Sequence, residues 1–153
     1  MSQLEEFVQE VAAVEKAEEK ILVVTGKPGS GKSKVLREAA ESKGWDYVDC
    51  RLLITESFLE LMPTERKEKA AAMMKEVLST YNSGVIMLDR VQTFFVPVFH
   101  IDVPSLLNEL GKEFTLVIAW PGYVKDNELC YDKFDGTESI RMPVGNLRVW
   151  EVK

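Results

Sequence analysis

The sequence predicts an α/β fold with three layers (αβα), in which helices cover both faces of a mostly parallel sheet. Short apolar runs rich in β-branched residues, such as 21–25 and 85–88, have the length and flanks of buried strands. Longer segments between such runs, such as 33–43 and 64–81, place apolar residues at helical spacing. Because strands and helices alternate along the chain, we expect βαβ units and parallel strands.

The N-terminal residues 2–19 are predicted to form an amphipathic helix. Apolar side chains recur there at helical spacing, with glutamates between them: Leu4, Phe7, Val8, Val11 and Val14. We therefore divide the chain into an N-terminal helix, residues 1–19, and a single core domain, residues 20–153.

The other elements are predicted from the same patterns and from turn residues. Gly44 ends the helix at 33–43, Pro63 separates a short helix from a longer one, and Asn82-Ser83-Gly84 is a turn. The predicted elements are a strand at 21–25, a helix at 33–43, a strand at 45–54, helices at 56–61 and 64–81, a strand at 85–88, a helix at 104–110 and strands at 114–120 and 147–152. Residues 121–146 are polar and too long for an ordinary loop, so we expect a functional loop or a further element there.

Composition limits the classes of function. The 153 residues suffice for one domain, and 46% of them are hydrophobic, as in a soluble protein. The net charge of −6 argues against a nucleic-acid coat but allows a local basic patch. Two cysteines without metal spacing and a single histidine, His100, exclude a His-rich metal site. With no long apolar run and an acidic N-terminus, we expect a cytoplasmic protein without a membrane partner.

The segment GKPGSGKS at residues 26–33 matches the phosphate-binding pattern GxxxxGK[ST], and it lies between a predicted strand and a predicted helix. Glycines allow the backbone to curve around phosphate oxygens, and the helix N-terminus attracts negative charge. Lys32 is expected to reach the β- and γ-phosphates, and the Ser33 hydroxyl to ligate Mg²⁺. The predicted cofactors are ATP and Mg²⁺, and the predicted contacts are Gly26, Lys27, Pro28, Gly29, Ser30, Gly31, Lys32, Ser33 and Lys34.

Asp89 follows the apolar residues 85–88 in the form of a Walker B strand. A buried strand would carry this carboxylate to the same sheet edge as the P-loop, where it would hold Mg²⁺ together with Ser33. ATPases that polarise water with a glutamate usually place it directly after this aspartate, but here Arg90 follows. Three side chains remain as alternatives for the general base: Glu56, Gln92 and Glu138.

Other side chains are candidates for completing the site. An arginine can stabilise transition-state charge from a neighbouring subunit, and we favour Arg141 and Arg66 because their segments are predicted to be poorly buried. The apolar run at 94–99 is interpreted either as a surface segment that meets a partner or as ordinary core. Trp120 is expected either to stack on a base or to cover the core.

Four segments together resemble the BrxF family, the small P-loop proteins of type III BREX phage-defence systems. They are GKPGSGKSKVL, LLITESFLELMPTER, VIMLDRVQTFFVPVF and LVIAWPGY, and the resemblance extends from about residue 20 to residue 140. More specific than the P-loop are Phe94-Phe95 after the aspartate strand, residues 119–122, and Leu129-Cys130-Tyr131. The resemblance implies an AAA+-like P-loop NTPase core without a helical lid. It also implies a bacterial cytosolic protein acting with other BREX proteins against phage DNA.

Three functions are compatible with these residues. The first is an ATPase subunit of a defence complex, active as a homo-oligomer because a neighbour would have to close the exposed site. The second is a small nucleotide or nucleoside kinase, although residues 121–140 contain no arginine for a phosphate-covering lid. The third is a nucleotide-binding switch with little turnover, which the missing glutamate favours. The sequence does not decide whether the protein contacts DNA directly.

Overall fold

The computed structural model describes residues 2–132 and 139–153. The helices are α1 (Gln3–Glu15), α2 (Lys32–Lys43), α3 (Glu56–Leu59), α4 (Pro63–Leu78) and α5 (Val103–Gly111), with 3₁₀ helices at Cys50–Leu53, Val91–Phe95 and Pro97–Phe99. The strands are β1 (Ile21–Thr25), β2 (Asp46–Asp49), β3 (Val85–Asp89), β4 (Thr115–Ala119), β5 (Tyr123–Lys125), β6 (Glu128–Asp132), β7 (Ser139–Pro143) and β8 (Arg148–Glu151).

A five-stranded sheet forms the centre of the molecule, and the predicted three-layer α/β fold is confirmed. Its strands are ordered β2-β3-β4-β1-β8, and each neighbouring pair is parallel. On one face, α1 and α2 share an apolar cluster with the sheet that includes Phe7, Leu36 and Val24. On the other face, α4 and α5 pack against it through residues such as Met74 and Leu107.

The order of the strands sets the spacing of the candidate site residues. Strand β4 lies between β1, which leads into the P-loop, and β3, which ends in Asp89. Two strand spacings therefore separate the ends of β1 and β3, roughly 9–10 Å. Both strand ends lie at the carboxyl edge of the parallel sheet, where open α/β sheets bind their ligands.

The strand predicted at 45–54 is too long. Strand β2 ends at Asp49, whose carboxylate accepts a hydrogen bond of 2.9 Å from the backbone N–H of Arg51. This local bond caps a 3₁₀ helix over Cys50–Leu53, in which Cys50 and Leu53 stay buried. The apolar residues that suggested a continued strand are therefore buried by a helical turn instead.

Residues 121–146 contain strands that the sequence pattern did not predict. Strands β5, β6 and β7 form a second, antiparallel sheet. Asp126 and Asn127 connect β5 to β6, and both have positive φ, 53° and 61°. Asp and Asn tolerate this left-handed conformation better than most residues, so the Asp-Asn pair is a hairpin signal.

The small sheet packs on the core through its inner face. Leu129 and Met142 are buried there, and the indole N–H of Trp120 donates a 2.9 Å hydrogen bond to the Cys130 carbonyl. Trp120 is fully buried and meets Phe95 edge to face, with ring centroids 5.6 Å apart. Of the two interpretations of Trp120, covering the core is therefore the one that holds.

Helix α1 is tied to the last strand. It begins at the N-cap Ser2, and it ends at Glu15 rather than at residue 19. The Trp150 indole N–H donates a 3.0 Å hydrogen bond to Glu6, while Arg148 pairs with Glu10. Within the described residues, none of the helices combines the length and the apolar character needed to cross a membrane.

Part of the apolar run at 94–99 lies in the core and part lies on the surface. Phe94 and Phe95 are buried in the core, whereas Val96 and Val98 are exposed. The two phenylalanines end the first 3₁₀ helix, Val91–Phe95, whereas Val98 lies in the second, Pro97–Phe99, which has no buried residue. The exposed part is therefore smaller than the sequence run suggested.

Candidate functional site

The P-loop bends between β1 and the first turn of α2. Gly29 and Gly31 have φ of 80° and 99°, a conformation that glycine adopts without steric cost. Gly31 is the N-cap of α2 and supplies no side-chain cap, so the first N–H groups of the helix are left for an acceptor from outside it. This backbone suits an anion such as a phosphate.

Gly26, at the start of the loop, leaves room for the side chains behind it. A Cβ atom at this position would lie 2.5 Å from the Ser30 hydroxyl oxygen and 3.3 Å from the Cβ of Val152. The Ser30 hydroxyl is buried and has no hydrogen-bond partner among the described residues. A side chain at position 26 would therefore displace the loop.

The side chain of Lys32 bonds back to the start of the P-loop and is attracted by the Asp89 carboxylate. Its Nζ donates a 2.8 Å hydrogen bond to the Gly26 carbonyl. Partial burial lowers the pKa of Lys32, and the attraction of the Asp89 carboxylate opposes that shift. The amine is thus held at the loop on the side where Asp89 lies.

Asp89 is buried, with 6% of its surface exposed, and both carboxylate oxygens have partners. The Tyr47 hydroxyl donates to Oδ2, and the Arg90 backbone N–H donates to Oδ1 over 2.9 Å. Burial, with the bond to Asp89, raises the pKa of Tyr47 to about 12, so this hydroxyl stays protonated at neutral pH. Tyr47 was not predicted as a site residue; its position on β2, next to β3, was the available signal.

The donor set fits Mg²⁺. Ser33 supplies a hydroxyl in the first turn of α2, and Asp89 supplies a carboxylate at the end of β3. Mg²⁺ prefers oxygen ligands and is usually bound by one or two protein groups together with substrate phosphates. The residues present thus agree with a metal ion shared between nucleotide and protein.

Arg90 points toward β2 through its ion pair with Asp49. Its Nε lies 3.2 Å from an Asp49 oxygen, and its backbone adopts a left-handed φ of 61°. Glu56, an alternative general base, is exposed at the start of α3, and Gln92 is half-buried. Neither makes a hydrogen bond to Lys32, Ser33 or Asp89 within the described part of the chain, and Glu138 lies outside the described residues.

Arg66 is not poorly buried, so the reason for proposing it as an arginine finger was wrong. Only 9% of its surface is exposed. Its guanidinium donates to the carbonyls of Val98 (2.5 Å) and Leu59 (2.7 Å) and lies over the ring of Phe58. Arg66 therefore joins α4 to the end of α3 and to the 3₁₀ helix Pro97–Phe99, and a catalytic role would require breaking these bonds.

Arg141, the other arginine candidate, is exposed on β7 as expected. Its Nη1 lies 3.1 Å from an oxygen of Asp132 on β6. Lys34, predicted as a nucleotide contact, is exposed too, and its amine lies 3.9 Å from Glu38, one helical turn further on. The backbone of Lys34 lies in the first turn of α2, directly after the P-loop.

A cavity of about 680 Å³ lies beside the P-loop. One wall is formed by the loop itself and by the end of β8, and the opposite wall by β5 and β6. Tyr123, Tyr131 and Asp132 line the second wall, and none of them was predicted as a site residue. They were missed because their strands were not recognised in the polar segment 121–146.

The fold is similar to that of a known ATPase. The structure of PCH-2 from C. elegans, an AAA+ ATPase, matches with a TM-score of 0.52 at 13% sequence identity. The fold is AAA+-like. The match covers 98% of this chain but 42% of PCH-2, so the chain spans less than half of that protein. No protein-family model and no curated protein sequence matches the chain.

Between β4 and Lys153, the described residues form the strands β5, β6, β7 and β8 and no helix. The small antiparallel sheet is thus what stands over the P-loop side of this core.

Proposed function

We propose that the chain binds ATP with Mg²⁺ at the P-loop and hydrolyses it. The observation that carries the proposal is the placement of Lys32 and Asp89. Both lie at the carboxyl edge of one parallel sheet, one beginning the helix after β1 and the other ending β3. This edge is where open α/β sheets bind their ligands.

Each side chain has a defined task in this proposal. Backbone N–H groups of residues 29–33 bind the phosphates, and Lys32 exchanges its bond to Gly26 for phosphate oxygens. Ser33 and Asp89 hold the metal ion, and Tyr47 with the Arg90 N–H fixes the orientation of Asp89. Mg²⁺, when bound, neutralises phosphate charge that develops during transfer.

Among the described candidates for the general base, neither Glu56 nor Gln92 makes a hydrogen bond to Lys32, Ser33 or Asp89, which is why we propose an assembly. Arg90 occupies the position of the usual glutamate and pairs with Asp49. A neighbouring copy could supply an arginine, and Arg141 is the exposed candidate. In view of the four motif segments given above, we further propose that this oligomer serves a BREX phage-defence system in the bacterial cytoplasm, with other BREX proteins as its partners.

A second candidate is a nucleotide-binding switch with little turnover. It is favoured by Asp89, whose two oxygens are already bonded to Tyr47 and to the Arg90 N–H, and by the absence of a glutamate at position 90. Such a site would bind ATP but would leave the attacking water unactivated.

The deciding experiment combines ATP binding with phosphate release. We expect wild-type protein to bind ATP–Mg²⁺ and to release phosphate at a specific activity that rises over a hundredfold range of protein concentration. Light scattering in parallel reports the oligomer, and DNA and candidate phosphoryl acceptors are added separately. Binding without release at any concentration would favour the switch, transfer to an acceptor would favour a kinase, and absence of ATP binding would refute all three.

A further inference from the structure

We infer that the cavity beside the P-loop holds the nucleobase of the bound nucleotide, with Tyr123 as its stacking ring and Asp132 as its hydrogen-bond acceptor. This inference rests on the proposed function, because it assumes that the P-loop binds a nucleoside triphosphate. It assigns the ligand a nucleobase that carries an amino group.

The first argument is the direction in which a nucleotide must lie. Lys32 interacts with Asp89, and β3 lies on the β4 side of β1. The terminal phosphate and its metal ion therefore belong on that side. The cavity begins at Thr25 and Gly26 after β1 and at Pro121 and Gly122 after β4, and it extends to the end of β8, on the side of β1 that is opposite to β4 and β3. A triphosphate with its last phosphate at Asp89 directs its nucleoside into the cavity.

The second argument is the character of the cavity. Its volume of about 680 Å³ falls within the range of small-molecule sites, roughly 300–1,000 Å³. Pro121, Tyr123 and Val124 give one wall an apolar and aromatic surface. Tyr123 is 41% exposed, whereas Tyr131 packs on Phe95 with ring centroids 5.1 Å apart. Tyr123 is thus the ring with a surface left for stacking.

The third argument is the carboxylate at the cavity wall. Asp132 accepts hydrogen bonds from the Tyr123 hydroxyl (2.7 Å) and from Arg141 (3.1 Å). The Tyr123 bond, followed by that of Arg141, holds the pKa of Asp132 below its usual range, so the group is an anion at neutral pH. An ionised carboxylate accepts only, and its two oxygens offer about four lone-pair sites. The remaining sites suit N–H donors, such as the amino group of adenine.

The test compares nucleotides with a probe that has no base. Calorimetry measures the binding of ATP–Mg²⁺ and of inorganic tripolyphosphate–Mg²⁺ to wild-type, Tyr123→Ala and Lys32→Ala proteins. We expect Tyr123→Ala to weaken the binding of ATP about tenfold, as the loss of one stacked ring does. Its affinity for tripolyphosphate should be unchanged. Lys32→Ala should weaken the binding of both ATP and tripolyphosphate. Lys125→Ala, on the same strand but outside the cavity lining, is the matched control and should bind both probes like the wild type.

A second comparison tests the acceptor. Purine riboside triphosphate lacks the amino group of ATP, so wild-type protein should bind it about fivefold more weakly. This difference should disappear in Asp132→Ala. Tyr123→Phe keeps the ring and should keep most of the affinity for ATP, which also guards against a folding defect in Tyr123→Ala.

The outcomes separate the two proposals. If wild-type protein binds neither probe, the proposed function and this inference both fail. If it binds ATP and tripolyphosphate equally well, or if Tyr123→Ala binds ATP like the wild type, the cavity does not hold the base, while the P-loop proposal stands. If Tyr123→Ala loses affinity for ATP and for tripolyphosphate to the same extent, the assignment is likewise overturned.

Discussion

The two ends of the candidate nucleotide site are built in different ways. At the phosphate end, Gly29, Gly31 and Lys32 follow one another within a few residues, and their backbone forms the site. At the cavity end, Tyr123 and Asp132 meet because β5 pairs with β6, and Arg141 joins them from β7. The comparison shows that charge recognition is encoded in a local loop, whereas the shape of the cavity depends on strand pairing.

The electrostatics of the two ends differ as well. At the phosphate end the carboxylate, Asp89, is buried and oriented by Tyr47 and by the Arg90 N–H. At the cavity end the carboxylate, Asp132, is exposed and oriented by two side chains of its own sheet. A substitution at the phosphate end should therefore affect any phosphate ligand, and one at the cavity end should affect only ligands with a base.

The largest expected effect is that of Lys32→Ala at the phosphate end. Loss of a charged contact to phosphate should cost about 2–3 kcal/mol, or roughly 30- to 150-fold in ATP affinity. Titration with ATP–Mg²⁺ measures it, together with phosphate release. Lys43→Ala, at the other end of α2, is the control and should bind like the wild type. If Lys32→Ala and Lys43→Ala have the same affinity, the phosphate end does not bind nucleotide through this lysine.

Asp89→Asn should affect turnover more than binding. The amide keeps the size of the side chain but loses the charge that would hold Mg²⁺, so phosphate release should fall about thirtyfold, or about 2 kcal/mol. The affinity for ATP should change by less than about threefold. Phosphate release measured at several Mg²⁺ concentrations checks this. Turnover equal to that of the wild type would make Asp89 a structural cap of β3.

The phosphate end could be predicted from the sequence because its signals are local. The pattern GKPGSGKS and the strands β1 and β3 are each read from a short window, and the structure places them together. The burial of Arg66 was predicted wrongly because burial of an arginine depends on distant partners. Its partner Val98 is 32 residues away, and no periodicity in α4 reveals it.

The cavity end could not be predicted for the same reason. Strands β5, β6 and β7 are short, and their outer faces are polar, so the alternation of apolar residues is weak. Asp126-Asn127 was the local signal of a hairpin, since two residues with positive φ suit such a turn. Even with the hairpin recognised, docking of the sheet on Trp120 is a tertiary contact that the sequence pattern does not contain.

Gly122→Ala should disturb the cavity end alone. A Cβ atom at this position would lie 1.7 Å from the Cys130 carbonyl oxygen, so β6 must shift to admit it. We expect a loss of about 1–2 kcal/mol in the free energy of unfolding, measured by urea denaturation. ATP affinity should fall while tripolyphosphate affinity is kept. Unchanged stability would show that the small sheet docks more loosely than the geometry indicates.

The smallest expected effect is the pH dependence of the ion pairs of Asp49, which flank the phosphate end. Hydrogen bonding from the Arg51 side chain, with help from Arg90, holds the pKa of Asp49 below its usual range. A lowered pKa means that the ionised form stabilises the fold above the unfolded-state pKa, about 3.9, and that this stabilisation is lost as the pH falls through the lower, folded-state value.

Asp49→Asn isolates this charge, because the amide oxygen can still accept the hydrogen bond from the Arg51 N–H that caps the 3₁₀ helix. At pH 7 the variant should be less stable by about 0.5 kcal/mol, or roughly 1–2 °C in Tm, and the difference should shrink below about pH 4. Thermal unfolding from pH 3 to pH 7 measures it, with Asp126→Asn in the β5–β6 turn as the control. A difference in Tm that stays constant, or grows on acidification, would mean that Asp49 acts through its hydrogen bonds alone. In that case backbone geometry, rather than the charge of Asp49, would hold Arg90 in its position at the phosphate end.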